Sequence, residues 1–124
     1  MREATPYDKV ILVTGGAGFI GSNYLNMIVR KYPNYRFVNV DLLTYAGNLD
    51  YISVALEPNY IFEKADIRDK GALDIIFKKY SPTHVIHFAA ESHVDNSIAG
   101  PKVFIETNVL GTTNLLELAR LNGV

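Results

Sequence analysis

The chain has 124 residues, enough for one domain and too few for two. Hydrophobic residues make up 48% and charged residues 20%, as in a globular protein, and a formal net charge of −1 gives nucleic acid or an anionic membrane no electrostatic hold. With no cysteine, disulfides and thiolate metal sites are excluded, no apolar run is long enough to span a bilayer, and the polar start of the chain does not resemble a signal peptide.

Short runs of β-branched and aromatic residues alternate along the chain with longer stretches of helical spacing. The first run, residues 10–14, predicts a strand, and a glycine-rich turn follows it. Ile20, Tyr24, Ile28 and Tyr32, with Leu25 on the same face, then predict a helix. A second strand is predicted over residues 36–40, and a weaker helical segment over residues 49–56 ahead of Pro58. Residues 60–63 predict a third strand. Leu73, Ile76, Phe77 and Tyr80 then follow an i, i+3, i+4, i+7 pattern, and residues 84–88 predict a fourth strand. A last stripe, Ile105, Val109, Thr112, Leu116 and Ala119, predicts a helix that Pro101 opens and Gly123 closes.

Strands separated by helices must pair in parallel, because parallel strands need a crossover. The runs are apolar on both faces, as in a sheet covered by helices on each side. The predicted fold is α/β, a doubly wound parallel sheet with right-handed crossovers and strand order 3-2-1-4. A fifth strand is expected after Val124, so residues 1–124 read as the N-terminal part of a longer protein. The fourth strand would then be an open edge that invites self-association.

The strongest chemical signal is Thr14-Gly15-Gly16-Ala17-Gly18-Phe19-Ile20-Gly21-Ser22, between the first strand and the first helix. Gly16, Gly18 and Gly21 fit G-x-G-x-x-G, and Gly15, Gly18 and Gly21 fit G-x-x-G-x-x-G. Glycine suits such a turn because it turns tightly, lets backbone approach a pyrophosphate, and lets helix and sheet pack closely. The phosphates then meet free N–H groups at the positive end of the helix. A plain turn has the same composition, but Asp41 ends the second strand twenty residues beyond Gly21, where a carboxylate can bind ribose hydroxyls. Taken alone, Asp41 reads equally as a turn former. Asp66 and Ile67 follow the third strand, and Phe88, Ala89 and Ala90 follow the fourth. All lie at the carboxyl ends of strands, where open α/β sheets bind ligands, so a Rossmann-type dinucleotide site is predicted. His84 and His87 fall on opposite faces of one strand and read as structural, while His93 lies nearer the expected ligand. No metal site is predicted.

With the glycine turn, the Asp-Ile after the third strand and the His-Phe-Ala-Ala after the fourth, the chain resembles the extended short-chain dehydrogenase/reductase family. The helix carrying Asn108-Val-Leu-Gly-Thr-Thr-Asn-Leu-Leu-Glu117 matches as well. Within the family, Asp41-Leu-Leu-Thr-Tyr-Ala-Gly-Asn-Leu49 and Ala89-Ala-Glu-Ser-His-Val-Asp-Asn-Ser97 most resemble the dTDP-glucose 4,6-dehydratase branch.

The resemblance implies NAD as cofactor. It places Gly15, Gly18, Phe19, Ile20 and Gly21 at the pyrophosphate, and Asp41, Leu42, Leu43 and Thr44 around the adenosine ribose. Asp66 and Ile67 would meet the adenine, and Phe88, Ala89, Ala90, Glu91 and Ser92 would line the nicotinamide side with Thr107 behind them. Ser92 would also reach the nucleotide-sugar substrate; its bland alternative is an ordinary loop serine. The implied reaction oxidises C4 of the glucose, removes water across C5 and C6, and returns the hydride to C6, giving a 4-keto-6-deoxy sugar. The parent is expected to be a cytoplasmic, homodimeric lyase without nucleic-acid or membrane partners. Such enzymes carry a Tyr-x-x-x-Lys pair and a Thr-Asp-Glu triplet downstream. This chain is expected to lack both along with the sugar-binding region, to hold no catalytic residue, and to be inactive alone. Another extended-family enzyme, such as a UDP-glucose 4-epimerase, or a non-catalytic NAD-binding module remains the alternative.

Overall fold

The computed structural model describes residues 6–43, 49–89 and 101–124. Four strands form one parallel sheet: β1 (Lys9–Thr14), β2 (Tyr35–Asp41), β3 (Tyr60–Lys64) and β4 (His84–His87). Their order is β3-β2-β1-β4, as predicted, with β4 at an edge among the described residues. Register brings the strand ends level, Thr14 lying opposite both Val40 and His87, and Asp41 opposite Lys64.

Because successive side chains point to opposite faces, each strand feeds two cores. Val10, Leu12, Val38 and Val40 face α2 (Lys70–Tyr80) and the C-terminal helix, where Leu73, Ile76, Phe77, Leu115 and Leu118 close over them. Ile11, Val13 and Phe37 face α1 (Phe19–Ile28), packing on Leu25, Val29 and Val54. The α2 stripe is buried as predicted. On α1 the predicted Leu25 is fully buried and Tyr24 and Ile28 pack against the same core, while Ile20 is exposed and Gly21 and Ser22 are buried instead.

Two sequence expectations need correction. The segment 49–56 is not a helix beyond one 3₁₀ turn, Leu49–Tyr51. Asn26 on α1 grips the stretch instead, donating from Nδ2 to the Tyr51 carbonyl (2.7 Å) and accepting the Ser53 N–H at Oδ1 (2.8 Å). The last helix opens at Pro101 as predicted, but it comprises α3 (Pro101–Ile105), a π-helical segment (Glu106–Gly111) and α4 (Thr112–Leu121). Gly123, with φ +72°, ends it. Of its predicted core stripe, Ile105, Val109 and Leu116 face outward, all at least 60% exposed, while Ala119 packs against the core. The inner face is Gly111, Asn114, Leu115 and Leu118, so a glycine and an asparagine hold positions that a hydrophobic pattern does not mark. Asn114 is satisfied there, its Nδ2 donating to the carbonyls of Ile67 (3.0 Å) and Arg68 (3.2 Å).

No helix among the described residues is long and apolar enough to cross a membrane. At the end of the sheet away from the strand termini, buried Asn59 closes the C-terminal end of α1. Its Nδ2 donates to the carbonyls of Val29 (3.0 Å), Tyr32 (3.1 Å) and Tyr35 (2.9 Å). Replacing it with alanine removes a donor from all three, of which the Tyr32 carbonyl keeps the Tyr35 N–H, and a buried unsatisfied group costs roughly 1–3 kcal/mol. Asn59→Ala is therefore expected to lower the urea midpoint by that much stability without changing the m-value. A loss under about 0.5 kcal/mol would contradict this capping role.

Candidate functional site

β1 ends at buried Thr14, and Gly15 turns the chain with φ +70°. A Cβ on Gly15 would come within 2.5 Å of the Ala89 nitrogen, so turn and β4 exit lie backbone on backbone. The Gly15 N–H donates to the Val40 carbonyl (2.9 Å), and the Gly18 N–H returns to the Gly15 carbonyl (3.1 Å). Extended Gly18 then starts α1 without a side-chain cap. A Cβ on Gly21 would collide with the Gly15 carbonyl oxygen. The helix thus begins directly on the turn, and the amides of Phe19, Ile20 and Gly21 form its positive end. Phe19 and Ile20 themselves are exposed.

Asp41, the last residue of β2, reaches across to this turn. Its Oδ2 accepts the Ala17 N–H (3.0 Å) and its Oδ1 the Leu43 N–H (2.7 Å). Leu43 adopts a left-handed conformation with φ +61°, uncommon for a leucine, and Leu42 is partly exposed beside it. After β3, Asp66 is clasped by Arg68, whose Nε lies 3.0 and 2.9 Å from the two carboxylate oxygens and whose Nη2 lies 2.6 Å from Oδ2. The Arg68 guanidinium holds the Asp66 carboxyl below its ordinary range. It also faces Glu106 of the π-helical segment at 3.4 Å. The Ile67 side chain is buried in the core, so only its backbone is available to a ligand.

Beyond β4, the Phe88 N–H donates to the Thr14 carbonyl (2.8 Å) and the Ala89 N–H to Thr14 Oγ1 (3.3 Å). The Phe88 ring packs against Tyr24 of α1 at 5.6 Å, so backbone and not that ring faces the turn. His87 is structural, as its strand position predicts, with Nδ1 2.6 Å from Thr14 Oγ1 and Nε2 2.9 Å from Thr112 Oγ1. Burial pushes its pKa below the ordinary value. Thr107 lies half-buried in the π-helical segment. Thr44, Ala90, Glu91, Ser92 and His93 lie outside the described residues.

The expectation that the chain lacks a Tyr-x-x-x-Lys spacing is wrong as a matter of sequence, since Tyr60 and Lys64 have it. They stand at opposite ends of β3, roughly 13 Å apart at strand rise, whereas helical residues four apart are neighbours. Tyr60 is buried at the end remote from the glycine turn, its hydroxyl accepting from Asn39 Nδ2 (3.0 Å). The spacing therefore does not make an acid–base pair. Sequence reasoning missed Arg68, Glu106 and Asn114. Only the alternation of sign from Asp66 to Arg68 signals any of them.

Residues 12–124 match the family described as GDP-mannose 4,6 dehydratase. A dTDP-glucose 4,6-dehydratase of Neisseria meningitidis is 56% identical over 113 residues, covering 90% of this chain and 32% of that protein. A dTDP-glucose 4,6-dehydratase of Streptomyces venezuelae, solved with NAD bound, superposes with a TM-score of 0.84 at 46% identity, covering 93% of this chain and 37% of the other. A UDP-glucose 4-epimerase of Thermus thermophilus, also in complex with NAD, superposes with a TM-score of 0.81 at 36% identity, covering 93% and 35%. The chain spans about a third of the length of these relatives.

The lowered pKa of His87 makes stability depend on pH in one direction. Above the ordinary imidazole value of 6.5 the group is neutral in both folded and unfolded chains and contributes no slope. As pH falls below 6.5 the unfolded chain takes up a proton that the folded chain resists, and stability declines until the folded pKa is passed. The slope is at most about 1.4 kcal/mol per pH unit for one group. Urea denaturation between about pH 7.5 and 5.5 is expected to show this loss in the unmutated protein and a smaller one in His87→Gln. Equal losses would contradict the assignment.

Proposed function

The chain belongs to the GDP-mannose 4,6 dehydratase family, and from that premise we propose that it is the NAD-binding part of a dTDP-glucose 4,6-dehydratase. The observation that carries the cofactor reading is the Asp41 carboxylate held against the Ala17 amide of the glycine turn. It puts a hydrogen-bond acceptor for ribose hydroxyls beside the uncapped end of α1, where a pyrophosphate would sit. The residues fit the group: Gly15 and Gly21 let the turn, the start of α1 and the β4 exit close backbone on backbone, which leaves the uncapped start of α1 beside the Asp41 carboxylate.

In this reading the amides of Phe19, Ile20 and Gly21 hold the pyrophosphate, and Asp41, with Leu42, Leu43 and Thr44, takes the adenosine ribose. Asp66 and the Ile67 backbone take the adenine, and residues 88–92 with Thr107 take the nicotinamide side. NAD supplies a transient acceptor for hydride from the sugar. The chain's own part is to bind, orient and, through Ser92, touch the nucleotide sugar. The parent would convert dTDP-glucose to dTDP-4-keto-6-deoxyglucose with loss of water, as a cytoplasmic homodimer.

Identity to the dehydratases supports that branch over the epimerase, 46% against 36% for the two solved relatives. The epimerase reading persists because both relatives superpose almost equally well on 93% of this chain, with TM-scores of 0.84 and 0.81. Supplying the parent protein with dTDP-glucose and UDP-glucose separates the two: a product lighter by one water supports dehydration, and UDP-galactose without mass change supports epimerisation. The 124-residue chain alone is expected to form neither product, because the acid–base residues the reaction requires are assigned downstream of it. Turnover by the purified chain would contradict that assignment.

Asp41 also predicts a preference for NAD over NADP. The 2′-phosphate would stand beside the carboxylate, and two unit charges at about 4 Å repel by about 4 kcal/mol at an effective dielectric of 20. None of Leu42, Leu43 and Thr44 is a cation that would offset this. Calorimetric titration is expected to show at least tenfold tighter binding of NAD, since about 1.4 kcal/mol suffices for that factor. The gap should narrow in Asp41→Ala. Equal affinities in the unmutated protein would contradict the role of Asp41.

A further inference from the structure

His87 sits at a junction that the reading above does not use. Three backbones meet there: the end of β1 through Thr14, the end of β4 through His87 and Ala89, and the return from π to α geometry at Thr112. The hydrogen bonds have only one consistent direction. Thr112 spends its hydroxyl proton on the Asn108 carbonyl (2.8 Å), so toward His87 it can only accept. The imidazole therefore carries its proton on Nε2 and leaves the Nδ1 lone pair for the Thr14 hydroxyl (2.6 Å). Thr14 Oγ1, having donated, accepts the Ala89 N–H (3.3 Å). The chain runs Ala89 N–H, Thr14, His87, Thr112, Asn108 carbonyl, with each donor matched to an acceptor.

The relay adjoins the proposed dinucleotide site at both ends: its first member, Ala89, is assigned to the nicotinamide side, and its last, the Asn108 carbonyl, lies next to Thr107. Thr14 immediately precedes Gly15, and Asn108 immediately follows Thr107 in the π-helical segment. A π-helical turn interrupts the regular i→i−4 ladder, and such turns are frequent at functional sites. We infer that His87, as an imidazole protonated on Nε2 alone, is a positioning residue for the dinucleotide. It holds the glycine turn and the Thr107 segment at a fixed separation. The inference rests on the dinucleotide reading of the site. His87 touches no assigned cofactor contact itself and acts through the two threonines.

Thr112 gives a clean test because it lies on the far side of the imidazole from the glycine turn. Thr112→Val keeps the shape and loses the hydroxyl, whereas Thr112→Ser keeps the hydroxyl. Affinity for NAD is to be measured by calorimetry in the unmutated protein, in both variants and in His87→Phe. The imidazole tautomer is to be read from nitrogen-15 shifts in the unmutated protein. The expected result is an Nε2–H tautomer, about tenfold weaker binding in Thr112→Val and His87→Phe, and recovery to within about twofold in Thr112→Ser, tenfold corresponding to about 1.4 kcal/mol. A proton on Nδ1, unchanged affinity in Thr112→Val and His87→Phe, or no recovery in Thr112→Ser would overturn the role of His87 while leaving the site intact. Failure of the unmutated protein to bind NAD would overturn the dinucleotide reading, and the inference with it.

Discussion

Helix α1 can start where it does only because the backbone of residues 15–21 folds onto itself and onto β4 without intervening side chains. Gly15 meets Ala89 backbone to backbone, and Gly21 meets the Gly15 carbonyl. Each contact removes the space a methyl group would need, so the turn, the first strand, the fourth strand and the first helix form one unit. The consequence is electrical as well as steric. Bringing α1 to the strand ends places its uncapped amides beside Asp41, so donors and a carboxylate stand together at the carboxyl end of the sheet. A dinucleotide, with an anionic pyrophosphate and neutral ribose hydroxyls, matches that pairing.

Buried polar side chains hold the rest in place. Asn59 gathers three carbonyls below α1, Asn114 gathers two above α2, and His87 bridges two threonines. Each joins segments that apolar packing alone leaves free to slide, since hydrophobic contact is non-directional. The Arg68 clasp on Asp66 belongs to the same class on the surface, where screening makes such a pair worth little in stability. Its effect is on the shape and charge of the carboxylate.

The strands were legible because β-branched and aromatic runs alternate with helical stripes, and right-handed crossovers with the glycine turn after β1 then favoured the order 3-2-1-4. The α2 stripe was legible because all four of its buried residues are large and apolar. The buried face of the last helix was not, because Gly111 and Asn114 occupy it while Ile105, Val109 and Leu116 point outward. At the site, the glycines and Asp41 could be read from spacing. The bond from Ala17 to Asp41 could not, nor could the partners of His87, which lie 73 and 25 residues away in the chain. Long-range hydrogen bonds leave no period in a sequence. The Tyr60–Lys64 spacing shows the converse, a motif present in the letters and void on a strand.

The central claim is that a dinucleotide lies across the carboxyl ends of the strands with its pyrophosphate on the glycine turn. Amide hydrogen exchange of the protein with and without saturating NAD tests this most directly. The account predicts added protection over residues 15–22, 41–43 and 66–68, and none around Asn34 and Asn59 at the amino end of the strands. Protection confined to that amino end, or binding that leaves the glycine turn unchanged, would contradict it.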